Sequence, residues 1–293
     1  MTAETVDIIF SGGSGKVPNR IVGTDGRAYS VEGQIGRGGN AVVCSCADEI
    51  DGSELAVKFL VALRDEGGRR FERETSLTEK LTSARHDHLI RFVTSGQCQG
   101  EFAQYNRKSR EVTLPFFIME RASSSLREFV GNLDAAIPQE IYVAQFRGLL
   151  GALETLHELA IHRDIKPENI LVVGERWLIS DFGLCAWNDK QDEHELTSQR
   201  HVPGPKFWMS PEANNKSVGL PDEIGFASDV FQLAAVFWWV VNRRHPSGIL
   251  AREDWTGAEK LFDPVSKALQ HSLGRRFESA NAFGQAMATA LAI

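Results

Sequence analysis

An α+β chain in two parts, a small β-rich lobe with one helix followed by a larger α-helical lobe, is what the sequence predicts. Three observations carry this. Residues 29–59 consist of short apolar runs broken by glycines and by the turn Asp51-Gly52, the texture of an antiparallel meander. Beyond Arg121 the apolar residues recur at helical spacing,. The most apolar stretch, VFQLAAVFWWVV at 230–241, falls well short of the ~20 residues that span a bilayer and reads as a buried core helix.

Taken in order, residues 1–28 are rich in Gly, Ser and polar side chains and read as an N-terminal leader, either loosely ordered or a pair of short strands,. The small lobe is set at 29–121 and the large lobe at 122–293. In the small lobe, three strands precede a helix near 69–81, whose inward face carries Phe71, Glu74, Leu77 and Leu81 at 3.6-residue spacing,. Two further strands are expected at 89–93 and 114–119, separated by a polar insertion that contains Arg107, Lys108 and Arg110. Helices are expected at 125–130, 139–160, 228–241 and 263–271.

Composition narrows the function. With 293 residues, 42% hydrophobic and 24% charged, the chain can bury one large core or two modest ones,. A net charge of -7 gives no long-range attraction to nucleic acid or to anionic membrane. Cys44, Cys46, Cys98 and Cys185 form no disulfide framework, and MTAETVDIIF is acidic where a signal peptide is basic,. A cytoplasmic location is expected. Gly12-Gly13-Ser14-Gly15-Lys16 resembles a phosphate-binding P-loop only superficially, because Phe10 and Val17 stand where that motif needs Gly and Ser or Thr,. His86 and His88 lack partners at metal-ligand spacing,.

The residues that carry chemistry begin with Ile35-Gly36-Arg37-Gly38-Gly39-Asn40-Ala41-Val42-Val43. Such a cluster suits a hairpin that lets backbone approach a ligand closely. On the next strand, Ala56-Val57-Lys58 puts a lysine in an apolar run, where burial is costly unless the ammonium meets an anion. Two segments then decide the matter: His162-Arg163-Asp164-Ile165-Lys166-Pro167-Glu168-Asn169-Ile170-Leu171, and Ile179-Ser180-Asp181-Phe182-Gly183.

With these motifs the chain resembles the eukaryotic-like (Hanks-type) serine/threonine protein kinases, over about residues 29–290,. The resemblance implies a bilobal kinase fold and ATP- and Mg²⁺-dependent transfer of a γ-phosphoryl group to Ser or Thr of protein substrates, with autophosphorylation. It implies that Asp164 orients the substrate hydroxyl, that Lys166 attends the γ-phosphate, and that Asn169 and Asp181 hold Mg²⁺. Lys58 would hold the α- and β-phosphates and itself be held by a helix glutamate. Glu74 is chosen over Glu72 because it shares the inward face. Ile35, Gly36, Gly38, Gly39, Val43, Ala56 and Leu171 would cover or line the nucleotide, Met119 would guard the back of the adenine slot, and Glu120 and Ala122 would offer backbone groups to the ring. Ser210-Pro211-Glu212 stands where the family usually has Ala-Pro-Glu, with Arg276 as the expected partner of Glu212. Lys166, two residues after the catalytic Asp, favours Ser/Thr specificity.

Between the magnesium motif and Ser210 lie Thr197 and Ser198, expected phosphorylation sites that Arg163 would anchor. Two departures stand out. Ala41 replaces the third glycine, and Pro205 replaces a threonine whose hydroxyl links the catalytic aspartate and lysine in many relatives. A pseudokinase scaffold is opposed by the presence of Lys58, Asp164 and Asp181 together. An aminoglycoside-type phosphotransferase is opposed by Ala-Val-Lys, by the Ser-Pro-Glu segment and by the Asp229 and Arg276 anchors. Control is expected from autophosphorylation or from a regulatory partner chain.

Overall fold

Period-two alternation puts Ile8, Phe10 and Val17 on one face of the first hairpin, and that face is buried in the computed structural model of the chain, which describes residues 4–62, 65–104, 108–188 and 207–292. The chain divides into two compact units, one within 1–83 and 90–122, the other within 84–89 and 123–293.

The first unit is one antiparallel sheet with a helix. Its strands are β1 (Thr5–Phe10), β2 (Gly13–Pro18), β3 (Arg20–Val22), β4 (Ala28–Arg37), β5 (Ala41–Asp48), β6 (Glu54–Leu60), β7 (Phe92–Gln104) and β8 (Arg110–Glu120), in the order β1-β2-β7-β8-β6-β5-β4-β3. Of the two readings open for the leader, the described residues take the second and exceed it: β1 to β3 are members of the main sheet. Gly12, at φ +92, closes the β1–β2 turn in a conformation that other residues rarely adopt,. The sheet curls, so that β1 also packs against β4. Inside lies a core that joins Ile8, Phe10, Val17 and Ile21 to Val42, Val57, Phe59, Phe102, Leu114 and Phe116.

The expected polar insertion is instead mostly ladder. β7 and β8 pair from Phe92↔Met119 out to Phe102↔Arg110, and β2 pairs with the far half of β7, from Gly13↔Gln104 to Lys16↔Glu101. Cys98, Phe102, Val112 and Leu114 turn toward the core, while the polar residues between them mask the alternation in the sequence. Ile90 lies before β7, while Leu89 belongs to the second unit and bridges there to Ile179. Helix α1 (Asp65–Ser83) is longer than expected at both ends. Phe71, Glu74, Leu77 and Leu81 are all buried along it, and Phe71 packs on Phe117.

The second unit is mainly helical. Helices α2 (Leu126–Gly131), α3 (Gln139–His157), α5 (Phe226–Asn242) and α6 (Phe262–Ala268) lie on the expected segments, whereas α4 (Pro211–Ser217) and α7 (Ala280–Ala292) are additional. The short strand β9 (Ser124–Ser125) leads into α2, which a reciprocal capping box of Ser125 and Glu128 starts,. As the apolar run required, α5 is a core helix, with Val230, Leu233, Val236 and Phe237 fully buried and Phe237 stacked on Phe146 of α3 at 4.2 Å between centroids. No helix among the described residues is long and apolar enough to cross a membrane. His88 has a packing role: Nδ1 lies 2.8 Å from the Trp177 carbonyl, and its ring fills the space over Gly148, where a Cβ would sit 2.1 Å from Nε2.

Candidate active site

In the second unit a strand, a loop and a hairpin present the charged residues. Strand β10 (Ala160–Ile161) leads into residues 162–166, a 3-10 turn at Pro167–Asn169 follows, and then β11 (Ile170–Val173) and β12 (Arg176–Ile179) form a hairpin that ends at Asp181. A short strand β13 (Ala186–Trp187) returns to pair with β10, so the two ends of the segment are fastened together.

The loop hangs from α5. Asp229, fully buried, accepts the backbone N–H of His162 at 2.7 Å and that of Arg163 at 2.9 Å. Gln232, one turn on, accepts the N–H of Ile165 at 3.1 Å. His157 Nε2 also contacts Asp229, at 3.0 Å. Satisfying buried backbone donors in this way fixes an irregular loop that has no ladder of its own. Arg163 and Asp181 both adopt left-handed backbone, at φ 68 and φ 60, which persists in non-glycine residues only where the surroundings enforce it.

Asp164 sits at the centre, 5% exposed. One carboxylate oxygen, Oδ2, accepts from Lys166 Nζ at 2.8 Å and from Asn169 Nδ2 at 2.8 Å. The other, Oδ1, is buried and accepts no hydrogen bond among the described residues. Burial pushes the carboxyl pKa up, the Lys166 ammonium opposes that, and Asp181 adds to the upward shift,. Asn169 also donates to the Asp164 carbonyl at 2.9 Å, so its Nδ2 is committed and its amide oxygen is the group it has to offer. Asp181 is exposed. The next residue, Phe182, is buried against His162, with ring centroids 5.6 Å apart.

A second buried pair holds the far side of this unit. Arg276 Nη1 donates to Glu212 Oε1 at 3.0 Å, Nη2 donates to Oε2, and Ser228 Oγ donates to Oε1 at 2.6 Å. Burial alone would raise the Glu212 pKa, but these donors outweigh it and hold the carboxyl below its usual range.

In the first unit, Lys58 Nζ meets Glu74 Oε1 at 2.5 Å, with the two side chains 13% and 6% exposed. Glu72 is exposed. Directly opposite residues in the ladder share a face of the sheet: Val43 faces Lys58, Lys58 faces Phe117 and Ala56 faces Met119, so Val43, Ala56, Lys58 and Met119 lie together on one face. Ile35, Gly36, Gly38 and Gly39 belong to the β4–β5 hairpin and its turn, with Ile35 half exposed. Glu120 ends β8, its N–H bonded to the Arg91 carbonyl at 3.0 Å, and Ala122 follows it. Leu171 is on β11 of the second unit, opposite Ser125. Thr197, Ser198 and Pro205 lie outside the described residues.

Sequence reasoning missed Gln232 and His157. Gln232 had a signal, since it stands one helical turn after Asp229 in a helix otherwise apolar along its length, and a polar pair on a buried face needs partners. His157 had none, because only the fold brings α3 to Asp229.

A protein kinase domain model matches residues 29–273. Among curated relatives, the human serine/threonine-protein kinase/endoribonuclease IRE2 is 31% identical over 212 residues, 68% of this chain and 20% of that protein. The probable serine/threonine-protein kinase PknB of Corynebacterium glutamicum is 28% identical over 225 residues, 74% of this chain and 32% of that protein. A probable receptor-like serine/threonine-protein kinase of Arabidopsis thaliana, At4g34500, is 28% identical over 259 residues, 82% of this chain and 55% of that protein. The chain thus spans between a fifth and just over half the length of these relatives. With a sheet-and-helix first unit, a helical second unit and a family match over most of its length, the chain belongs to the protein kinase family.

Proposed function

We propose that the chain is an ATP- and Mg²⁺-dependent serine/threonine protein kinase that phosphorylates protein substrates and itself. The observation that carries this reading is Asp164: a buried carboxyl group with one oxygen held by Lys166 and Asn169 and the other without a donor among the described residues. Such an oxygen can accept the proton-bearing end of an incoming hydroxyl and keep that nucleophile in line. Lys166, 2.8 Å from the carboxylate, is near enough to attend the transferred phosphoryl as charge develops on its oxygens.

The donor set fits a hard divalent cation, because Asp181 and the amide oxygen of Asn169 are oxygen ligands of the kind Mg²⁺ takes. When bound, Mg²⁺ would supply neutralisation of phosphate charge. Lys58, kept in place by Glu74, would bind the α- and β-phosphates, and Ile35, Gly36, Gly38, Gly39, Val43, Ala56, Met119, Glu120, Ala122 and Leu171 would form the nucleotide's surroundings. Lys166 and the names of the relatives favour Ser/Thr over Tyr. Cys44 and Cys46, two residues apart and unbridged, suit a reducing compartment, and we place the protein in the cytoplasm.

The test is incubation of the purified protein with labelled ATP, Mg²⁺ and a proteome extract, followed by mapping of the phosphorylated residues. Label is expected on Ser and Thr, on Thr197 or Ser198 of the chain itself, and in neither place for Asp164→Asn. Label on tyrosine, on a small molecule, or equally with Asp164→Asn would overturn the reading.

A further inference from the structure

The glycine cluster is fastened to the N-terminal hairpin by one side chain. As the outer strand of its hairpin, β1 presents backbone groups that its partner β2 does not use. Phe10 and Gly13 face each other across the two-residue turn, and Ile9 faces Ser14. The alternation of an antiparallel ladder therefore aims the Ile9 N–H and C=O away from β2. Both are taken up by Gln34 of β4. The Ile9 N–H donates to Gln34 Oε1 at 2.7 Å, and Gln34 Nε2 donates to the Ile9 carbonyl at 2.9 Å. A carboxamide has the donor and acceptor of a peptide group, so this contact is one rung of ladder made by a side chain.

Gln34 Nε2 also lies 3.3 Å from the carbonyl of Gly36, the first glycine of the cluster. The reach depends on irregular backbone. The register of β4 against β5 shifts between Val31 and Gln34 and again between Gln34 and Gly36, and such bulges re-aim side chains. The rail that receives Gln34 is fixed: Ile8 and Phe10, on either side of Ile9, are 0% and 5% exposed, while Ile9 itself is 56% exposed. The tip, by contrast, is open, with Arg37, Gly38, Gly39 and Asn40 all exposed.

We infer that Gln34 is a positioning residue, whose carboxamide clamps the ascending arm of the glycine-rich loop to strand β1, itself anchored by the buried Ile8 and Phe10, and so governs how firmly the loop holds nucleotide phosphates. The inference rests on the phosphotransfer reading for its kinetic consequence, but the clamp itself is a statement about backbone order. Gln34→Met keeps the length of the side chain and removes both bonds. Ile9→Pro removes only the donor from β1, at an exposed residue whose N–H is not used by β2.

In the full-length protein, each variant should raise the KM for ATP about fivefold, the worth of a net hydrogen bond, with kcat at saturating ATP and the KM for protein substrate within about twofold of wild type. Amide exchange over residues 36–39 should accelerate by a similar factor. The double variant should be no worse than either single one, because both break the same rung. Unchanged exchange over 36–39 together with an unchanged KM for ATP would overturn the inference. So would a fall in kcat at constant KM, which would mean that Gln34 only maintains the folded fraction. If the wild-type protein transfers no phosphate at all, the phosphotransfer reading fails alone, and the exchange measurement still decides whether Gln34 clamps the loop.

Discussion

Asp164 places a carboxyl group where burial opposes its charge,. Its pKa is raised in the folded chain, by burial first, despite Lys166, so ionising it works against folding. The stability linked to this group is complete below the pKa of an unfolded aspartate, about 4, and is lost as pH rises through the higher folded value. Asp164→Asn, which stays neutral, should therefore melt at or above the wild-type temperature at pH 7, and the difference should shrink toward pH 4. The same variant should lose phosphotransfer by about 10³-fold, the scale of a positioned general base. Thermal melts across pH beside a phosphotransfer assay check both; an unstable Asn variant would show that the Lys166 and Asn169 bonds outweigh desolvation.

The Lys58–Glu74 pair makes the opposite case, since each buried charge meets one of opposite sign,. Removing either should cost about 10²-fold in activity, on the order of 3 kcal/mol for a broken buried pair, and removing both should cost far less than the two effects combined. Glu72→Gln, at an exposed position, should leave the rate within about twofold. An essential Glu72 beside a dispensable Glu74 would mean that the face of α1 has been misread.

At the scale of elements, α5 is both the core helix of the second unit and the support of the loop that carries Asp164. Asp229 and Gln232 occupy the same face one turn apart and hold the N–H groups of His162, Arg163 and Ile165. Gln232→Leu leaves the Ile165 donor buried without a partner, which costs about 1–3 kcal/mol, and it frees the loop next to Asp164. A melting temperature lower by several degrees and a reduced kcat are expected, read by calorimetry and by steady-state rates. A variant with wild-type kcat would show that the Asp229 bonds suffice.

These elements differ in how plainly the sequence announces them. The loop from His162 to Asn169 is contiguous in the sequence, so the motif that carries the resemblance to the kinases could be read at once, and the roles proposed for its residues follow from that resemblance. The inward placement of Glu74 followed from the 3.6-residue period of Phe71, Leu77 and Leu81. Helix α7 was passed over because its apolar residues are mostly alanine, and its buried face, Ala280, Phe283 and Met287, stands out only against α3. The β7–β8 ladder is longer than the sequence suggests for a related reason: the partner that makes its far half worth forming, β2, lies 85 to 91 residues earlier in the chain, and no local period encodes a pairing at that distance.

For the molecule as a whole, the family match begins at residue 29, but the core of the first unit does not. Ile8, Phe10, Val17 and Ile21 are 0%, 5%, 0% and 2% exposed and pack with Val42, Phe59 and Phe102 in one cluster. Burying a side chain of this size contributes about 1.5–3 kcal/mol, so the four together represent about 6–12 kcal/mol as an upper figure. That is comparable to the ~5–15 kcal/mol by which a typical domain is stable. Deleting residues 1–28 would also bare the outer edge of β7 between Glu101 and Gln104, where β2 now pairs, and an uncovered edge invites association with other chains. A chain that starts at Tyr29 should therefore be insoluble or lose the cooperative melt of its first unit, even though every residue assigned to catalysis is present. The double variant Ile8→Ala, Val17→Ala in the full-length chain is the milder form of the same test, expected to destabilise by about 4 kcal/mol or more. Circular dichroism melts and sedimentation of the three proteins decide it. A shortened chain that stays as soluble as the 293-residue chain and melts with it would reduce β1 and β2 to an ornament on a kinase domain that folds without them.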